Sequence, residues 1–420
     1  MYRRIPLSML SEGFILASAV HDDSLRMLLG AGVEITTVLM TALYKRGVRD
    51  VVVAEKDWQR LTAFSSIGRA RKAAPRHSAV QSDLHLQSTL LLDDEVADYT
   101  AGDIVPSEEP FSDRVRRKGA VSYVREDMDC MVEHHQQSVE QVRGLLEQLN
   151  QNQSVSGEAV QAITEAALKR AEHDLDLFVC MGINPNEQSD AHAHAANVAT
   201  LAVALGVTLG QDEAVLRDLG AGCLVHNAGM THIDPRVALS PEFLSERDFV
   251  EITKHPVIAT DMLYNNMSRV PLGVRMIVYQ MHERCDGSGY PRGRTAESIH
   301  PLAKIAAVAD AYVALVSKRP YRPAMLPYYA MAKMLEDVKA GLYDATAVRA
   351  LLHTVSLFPI GSYSELSDGR VAKTIRANGP AYDRPIVEAW DRARLKDAPA
   401  VLDLTDEASP RVVKPLAFLR

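Results

Sequence analysis

The chain has 420 residues, 47% of them hydrophobic and 24% charged, with a formal net charge of −8 at pH 7. A chain of this length exceeds one ordinary hydrophobic core, so we expect two or three domains. No uninterrupted apolar run approaches the ~20 residues that span a bilayer, and the acidic balance argues against bulk nucleic-acid binding. The four cysteines lie far apart, which fits reduced thiols, and the N-terminus lacks a signal-peptide core, so the sequence predicts a cytoplasmic protein.

The first part of the chain predicts a small module followed by a linker. Residues 1–55 read as an N-terminal α/β module, because apolar and β-branched runs at residues 15–20 and 48–53 flank a short helical pattern at residues 37–44. Residues 56–112 are polar and lack periodicity, which predicts a linker.

The remainder of the chain is predicted to be helical, with a small β tail. Residues 113–183 predict two connecting helices, over residues 121–149 and 158–179, because apolar residues recur there at helical spacing. Such helices can join a regulatory module to an output domain or support a homodimer. Residues 184–357 carry an almost continuous helical pattern, and residues 358–420 read as short strands and turns. The expected fold is therefore mainly α.

Most of the candidate metal ligands lie in the long helical region. Asp190 and His194 are four residues apart, so a helix would place both on one face. His255 precedes Pro256, a step that is typical of a helix start. The complete set of candidate ligands is Asp190, His194, His226, His255, His282 and Asp310. Because imidazole and carboxylate groups are common ligands of divalent transition metals, we expect these side chains to converge in space.

The stretch from His282 to Gly293 reads His-Glu-Arg-Cys-Asp-Gly-Ser-Gly-Tyr-Pro-Arg-Gly and places metal-type ligands beside a tight turn. The glycines and the proline of this stretch cannot continue the apolar helix that precedes them. Glycines let backbone N–H groups approach a ligand, and Tyr290 offers a ring and a hydroxyl group. A helix cap followed by a surface turn is the alternative explanation.

This stretch resembles the signature loop of the HD-GYP family, metal-dependent phosphodiesterases that hydrolyse cyclic di-GMP. Asp190 and His194 fit the family's first ligand pair, with Asp in place of the more usual Glu. The segment Leu-Val-His-Asn-Ala-Gly-Met at 224–230 aligns with the family's His-Asp-x-Gly-Lys step, and Met-His-Glu at 281–283 aligns with its His-His-Glu. The resemblance implies an HD-type helical bundle as output domain and a site for iron or manganese whose last ligand is Asp310.

The resemblance also assigns cyclic di-GMP to the Gly-Tyr-Pro loop and to the basic turn that follows Asp310. The residues expected to bind the ligand are Asp286, Gly287, Gly289, Tyr290, Pro291, Lys318, Arg319 and Arg322. The forked guanidinium group of arginine suits phosphate geometry. A solvated basic turn between helices is the alternative for the three cationic residues.

Three departures from the family pattern fall at positions that carry chemistry. Asn227 occupies the place of the metal-bridging Asp, and a neutral amide cannot supply the anionic oxygen that holds two cations together. Met281 replaces an imidazole with a thioether, and Met230 replaces a lysine that would lie near the substrate phosphate. Together with Glu283, Asn227 and Met230 mark the expected catalytic positions.

We therefore expect one or no divalent metal ion per chain, and a cyclic di-GMP sensor or scaffold rather than an efficient phosphodiesterase. Two alternatives stay open. One is a slow metal-dependent phosphodiesterase that opens cyclic di-GMP to the linear dinucleotide or to GMP. The other is an interaction module that contacts diguanylate cyclases or other signalling proteins through the Tyr290 loop. The sequence does not decide whether the protein is an enzyme.

Overall fold

A computed structural model describes residues 2–6, 10, 14–21, 27–30, 32–36, 39, 43, 48, 50–54, 56–57, 60, 87–97, 102–116, 118–183, 191–238, 240, 245–318 and 324–416. The chain divides into two compact units, Met1–Ser78 and Ala79–Arg420. Within the described residues, none of the helices has both the length and the apolar character needed to cross a bilayer.

The first unit contains an antiparallel sheet of four strands in the order β1-β4-β2-β3. The strands are β1 (Tyr2–Pro6), β2 (Val20–His21), β3 (Met27–Leu29) and β4 (Asp50–Ala54). Its core is made of buried aliphatic residues such as Leu16, Ile35 and Val51. The predicted run at 48–53 corresponds to β4, but the run at 15–20 contains a bridge between Ile15 and Glu34, a bend at residues 17–18 and the first residue of β2. Most of the helix predicted over 37–44 lies outside the described residues.

The second unit is helical up to residue 355 and ends in a β-sheet. Its helices are α1 (Gln87–Ala97), α2 (Arg125–Asn150), α3 (Gly157–His173), α4 (Leu175–Ile183), α5 (Ala191–Thr208), α6 (Glu213–Val225), α7 (Pro235–Ala238), α8 (Glu246–Ile252), α9 (His255–Asn266), α10 (Leu272–Gln280), α11 (Pro301–Val316), α12 (Pro327–Lys339) and α13 (Ala345–Val355). Two short strands, β5 (Val155–Ser156) and β6 (Met267–Ser268), pair in parallel between helices.

Helix α5 lies at the centre of the hydrophobic core. It is apolar on all sides, which is typical of a helix surrounded by protein, and almost every residue from His194 to Val207 is buried. Helices α4, α6 and α11 pack directly against it. A helix enclosed in this way has little freedom to move, so it fixes the position of His194 at its first turns.

The predicted pair of connecting helices consists of three helices, α2, α3 and α4. The break falls at Asp174, which is buried and has extended backbone angles. Its carboxylate accepts the backbone N–H of Leu177 at 3.0 Å and so caps the start of α4. Buried residues of all three helices, including Leu149, Ile163 and Phe178, belong to the same core as α5. These helices are therefore part of the output domain's core, and the structure does not test the predicted homodimer.

The predicted polar linker differs from the structure in two places. Residues 87–97 form helix α1, whose Leu92 packs with Val257, Met276 and Tyr279. Residues 102–116 contact the turn between α5 and α6. There the Gln211 side chain donates to the carbonyl of Val105. The linker prediction failed there because few apolar residues are needed to anchor a short segment on a preformed surface.

The β tail is an antiparallel sheet of five strands in the order β10-β9-β8-β7-β11. The strands are β7 (Tyr363–Leu366), β8 (Val371–Arg376), β9 (Ile386–Trp390), β10 (Ala400–Asp403) and β11 (Val412–Leu416). Arg376 joins this sheet to the helices through a buried ion pair with Asp174, at 3.1 Å. The predicted fold class, a mainly α protein with a small N-terminal α/β module and a C-terminal β tail, is confirmed.

Candidate metal and ligand site

Three residues from three helical segments converge on one point. His194 lies near the start of α5, His226 follows the last residue of α6, and Asp310 lies in the middle of α11. One ligand atom of each lies within 4.8 Å of the others. The Asp310 carboxylate is 2.9 Å from His194 Nε2 and 4.0 Å from His226 Nε2. Within the described part of the chain, this is the one cluster of three metal-type ligands.

The carboxylate of Asp310 is held in its charged form. Burial acts to raise its pKa, but the hydrogen bond with His194 and the neighbouring imidazoles lower that pKa well below its usual value. His226 Nδ1 lies 2.6 Å from the carbonyl oxygen of Cys223, so Nδ1 carries the proton and Nε2 is directed toward the cluster. A negative oxygen beside oriented imidazole nitrogens is a donor set that suits a divalent transition metal.

His255 and His282 lie beside this cluster. His282 Nδ1 is 3.8 Å from an Asp310 oxygen. The ring centroids of His255 and His282 are 4.7 Å apart. His255 donates from Nδ1 to the carbonyl of Ile252 at 2.8 Å. Burial lowers the pKa of His255 to about 4 and that of His282 well below its usual value, so both are neutral near pH 7. Nε2 of each ring is buried without a hydrogen-bond partner, which leaves a nitrogen lone pair available to a cation.

The two substituted ligand positions have different surroundings. Asn227 is half-buried and precedes the short helical turn Ala228–His232, in which Met230 is also half-buried. A side chain at Gly229 would place its Cβ 2.1 Å from the carbonyl oxygen of His255, so glycine is required for this turn to pack on α9. Met281 is fully buried in the main hydrophobic core. Its side chain therefore serves packing.

The Gly-Tyr-Pro loop covers His282 with an aromatic ring. Tyr290 stacks on the imidazole of His282 at 5.0 Å with an angle of 16° between the rings. Its backbone N–H donates to the His282 carbonyl at 3.1 Å. Burial raises the pKa of Tyr290, so its hydroxyl keeps its proton and can donate to a bound anion. Phe249 of α8, which is partly exposed, meets the Tyr290 ring edge-on at 5.9 Å.

Glu283 holds this loop from within. Its two carboxylate oxygens accept the backbone N–H groups of Arg292 and Arg294, at 2.8 Å and 2.9 Å. A Cβ at Gly289 would lie 2.3 Å from the backbone nitrogen of Arg284, so the loop needs glycine there. In the structure each oxygen of Glu283 binds the loop backbone, and the catalytic role expected for this residue stays a prediction. Sequence reasoning had no means to identify these two N–H donors.

The other residues predicted to bind the ligand differ in their exposure, and some lie outside the described part of the chain. Asp286 is exposed and accepts the N–H and the hydroxyl of Ser288, at 2.9 Å and 2.6 Å. Pro291 is buried, Gly287 is half-buried with φ of 80°, and Lys318 is exposed after the end of α11. Asp190, Arg319 and Arg322 lie outside the described residues.

Two residues near the site were missed by the sequence reasoning. Phe249 had no motif that singled it out. Arg284 follows Glu283, and its guanidinium donates to the Glu283 carbonyl at 2.8 Å and lies 4.8 Å from the centre of the Tyr343 ring. The available signal for Arg284 was a cation inside the signature loop.

The comparisons with known proteins agree with this geometry. Residues 179–347 match the HD domain family. The chain is 30% identical over 205 residues to a cyclic di-GMP phosphodiesterase of Pseudomonas aeruginosa, which covers 49% of this chain and 49% of the relative. It is 35% identical over 144 residues to the cyclic di-GMP phosphodiesterase response regulator RpfG of Xanthomonas campestris pv. campestris, which covers 34% of this chain and 38% of the relative. The chain thus spans half the length of these relatives or less.

One solved structure also aligns along most of the chain. An HDG"Y"P protein from Bdellovibrio bacteriovorus has 17% sequence identity and a TM-score of 0.45, over 84% of this chain and 98% of that chain. The family match at residues 179–347 includes the helices that carry the His/Asp cluster and the Gly-Tyr-Pro loop. The HD domain match and the curated relatives named as cyclic di-GMP phosphodiesterases support the resemblance to the HD-GYP family that the sequence indicates.

Proposed function

We propose that the protein binds cyclic di-GMP at the Tyr290 loop and acts as a sensor or scaffold in cyclic di-GMP signalling, with a metal site too incomplete for efficient hydrolysis. The observation that carries this proposal is the contrast between the two halves of the site. The loop that would face the ligand keeps Gly287, Gly289, Tyr290 and Pro291. By contrast, two ligand positions of a metal pair hold the amide of Asn227 and the buried thioether of Met281.

The ligand side of the site supports binding of a planar, anionic molecule. The Tyr290 ring is backed by His282 and edged by Phe249, so it offers a rigid aromatic surface to a base. Its protonated hydroxyl and the neighbouring glycine backbone can donate hydrogen bonds to phosphate oxygens. The exposed Lys318 supplies a positive charge after α11, and Arg319 and Arg322 follow it in the sequence.

The metal side of the site fits one cation. His194, His226 and Asp310 would hold a divalent ion such as iron or manganese, with His255 and His282 beside it. Such an ion, when bound, polarises a phosphate oxygen and lowers the pKa of a coordinated water. Asn227 offers no anionic oxygen to bridge a second ion. A site of this kind retains affinity for phosphate but lacks the pair of cations that hydrolysis by this family requires.

A slow metal-dependent phosphodiesterase is the second candidate. The observation that favours it is the retention of His255 and His282, each buried with an Nε2 atom that makes no hydrogen bond. Buried polar atoms without partners are costly, and a metal ion bound nearby would provide those partners. In this case the chain's own residues would orient cyclic di-GMP for hydrolysis to the linear dinucleotide or to GMP.

Calorimetry with cyclic di-GMP tests the proposal directly. The wild type, loaded with manganese, is expected to bind, and Tyr290→Ala should weaken binding by about 1–3 kcal/mol because it removes the stacking surface. Tyr264→Ala is the matched control, since Tyr264 is an exposed tyrosine on α9. The same samples, assayed for linear dinucleotide and GMP, should show little turnover. Brisk hydrolysis would establish the enzyme, and absence of binding would favour a role in contacts with diguanylate cyclases or other signalling proteins.

A further inference from the structure

Helix α1 lies outside the residues that match the HD domain family, yet it is anchored on that domain. Leu92 is buried in a cluster with Val257, Met276 and Tyr279, which belong to α9 and α10. Near the start of the helix, the Ser88 hydroxyl donates to Asp261 at 2.9 Å. The helix is thus held on the surface formed by α9 and α10, beside the loop that follows α10.

Asp93 of this helix contacts the loop itself. One carboxylate oxygen lies 2.5 Å from Arg294 Nη2 and accepts the Tyr279 hydroxyl at 2.7 Å. The other oxygen accepts from Arg292 Nε at 3.2 Å. The side chains are 24% exposed for Asp93, 12% for Arg292 and 16% for Arg294, so water screens these charges only in part.

The two arginines are the residues whose backbone N–H groups are bound by Glu283. Arg292 and Arg294 are therefore held twice, through their backbones by Glu283 and through their side chains by Asp93. Tyr290 lies between Glu283 and Arg292 in the sequence, within the loop whose two ends these contacts join. The Asp93 carboxylate contacts both guanidinium groups where water screens them only in part, so its loss would remove a shared anionic contact and weaken the hold on this end of the loop.

We propose that Asp93 is a positioning residue for the Gly-Tyr-Pro loop, so that ligand binding at Tyr290 depends on the docking of helix α1. This inference rests on the proposed function, because it concerns the same ligand site. It assigns a role to a segment that precedes the HD domain in the chain. Any event that undocks α1 would loosen the loop without touching the ligand.

Amide hydrogen exchange tests the positioning role without any ligand. In Asp93→Asn, which keeps the side-chain size but removes the charge, the backbone amides of Arg292 and Arg294 should exchange at least about tenfold faster than in the wild type. Asp93→Glu, which retains a carboxylate, should recover part of the protection. Ser88→Ala is the matched control, because it removes a contact of α1 with α9 and leaves the Asp93 contacts in place. Equal exchange rates in Asp93→Asn and wild type would overturn the proposal, as would equal acceleration in Ser88→Ala.

Affinity for cyclic di-GMP, measured on the same full-length variants, tests the consequence for binding. Asp93→Asn should bind about tenfold more weakly, Asp93→Glu should bind more tightly than Asp93→Asn, and Ser88→Ala should match the wild type. A loosened loop with unchanged affinity would overturn the link between α1 and the ligand site. If the wild type itself does not bind cyclic di-GMP, the proposed function fails, while the exchange rates still decide whether Asp93 positions the loop.

Discussion

Asn227 and Met281 differ in what a restored ligand would cost the fold. Asn227 is half-buried, and aspartate has nearly the same shape, so the replacement changes charge more than packing. Met281 is fully buried among apolar residues. A histidine there would bury an imidazole whose polar atoms need partners, at a cost of about 1–3 kcal/mol where none are found. Replacing Asn227 therefore tests the effect of a metal ligand with little change in packing, whereas replacing Met281 changes the ligand and the packing together.

The double variant Asn227→Asp with Met281→His should bind up to ~2 metal ions per chain, as a two-metal site requires. Asn227→Asp alone should keep the wild-type melting temperature, whereas Met281→His alone should melt lower because its imidazole is buried without a metal. Cyclic di-GMP hydrolysis should rise mainly in the double variant, since the two ligands serve one metal pair. Elemental analysis after anaerobic loading with iron or manganese, together with a hydrolysis assay, measures both effects.

Two outcomes would contradict this expectation. A wild type that already carries two metal ions and hydrolyses cyclic di-GMP rapidly would show that an amide and a thioether are tolerated at these positions. A double variant that gains metal without activity would place the block elsewhere, and Met230 at the lysine position would be tested next. Met281→Leu is the packing control, because it preserves apolar volume and adds no ligand.

At the residue scale, the sequence predicted which residues form the metal-type cluster better than it predicted the hydrogen bonds that individual side chains make. The residue types and the resemblance to the HD-GYP family indicated a shared site for His194, His226 and Asp310, and the structure brings these three together. Glu283 illustrates the limit. It was expected at a catalytic position, and in the structure each of its two carboxylate oxygens accepts an N–H group from nine or eleven residues further along the chain. Hydrogen bonds of this range depend on loop geometry, which residue identity alone does not specify.

At the element scale, the Gly-Tyr-Pro loop depends on a close approach between two parts of its own backbone. An alanine Cβ at Gly289 would lie 2.3 Å from the Arg284 nitrogen and 2.5 Å from the Glu283 carbonyl carbon. These are backbone atoms, which cannot turn aside as a flexible side chain would. Gly144, in the middle of α2, is the opposite case, because an added Cβ there meets nothing within 4 Å.

Gly289→Ala should therefore displace the loop and weaken cyclic di-GMP binding, with a loss of stability of about 1–3 kcal/mol from overpacking. Gly144→Ala should leave binding unchanged and raise stability by about 0.5–1 kcal/mol, since alanine favours a helix interior. Chemical denaturation gives the stability changes, and calorimetry gives the affinities. Equal effects of the two substitutions would show that the loop does not need the close approach at Gly289.

The ends of helices and strands could be predicted where nearby glycine or proline residues, or short apolar runs, determine them. The glycines and Pro291 marked the end of α10, and the short strands predicted within residues 358–420 correspond to β7 to β11. Helix α1 was missed because its sequence is short and lies among polar residues, and two of its three consecutive leucines, Leu90 and Leu91, are exposed. Its stability comes from docking through Leu92 and Asp93, which is tertiary information.

At the scale of the whole molecule, the position of α1 changes where the chain can be divided. The sequence predicted a polar linker over residues 56–112, but the compact unit that contains the HD domain begins at Ala79. Helix α1 and residues 102–116 both contact this domain. A cut after residue 78 keeps these contacts, whereas a cut after residue 101 removes Leu92 and Asp93 together.

Two truncated proteins should therefore behave differently. The protein that begins at Ala79 should melt cooperatively and bind cyclic di-GMP as the full chain does, because its contacts in the second unit are complete. The protein that begins at Gly102 should melt at a lower temperature, since losing a buried leucine contact costs about 2–5 kcal/mol, and should bind more weakly because Arg292 and Arg294 lose Asp93. Calorimetric melting and titration with cyclic di-GMP measure both properties.

Adding Asp93→Asn to the longer fragment, which begins at Ala79, separates the effect of Asp93 from that of Leu92. This variant should bind cyclic di-GMP more weakly while keeping most of the stability that Leu92 provides. A longer fragment without a cooperative transition would show that the first unit is needed for folding of the second, and equal affinities of the two fragments would show that helix α1 has no role at the ligand site.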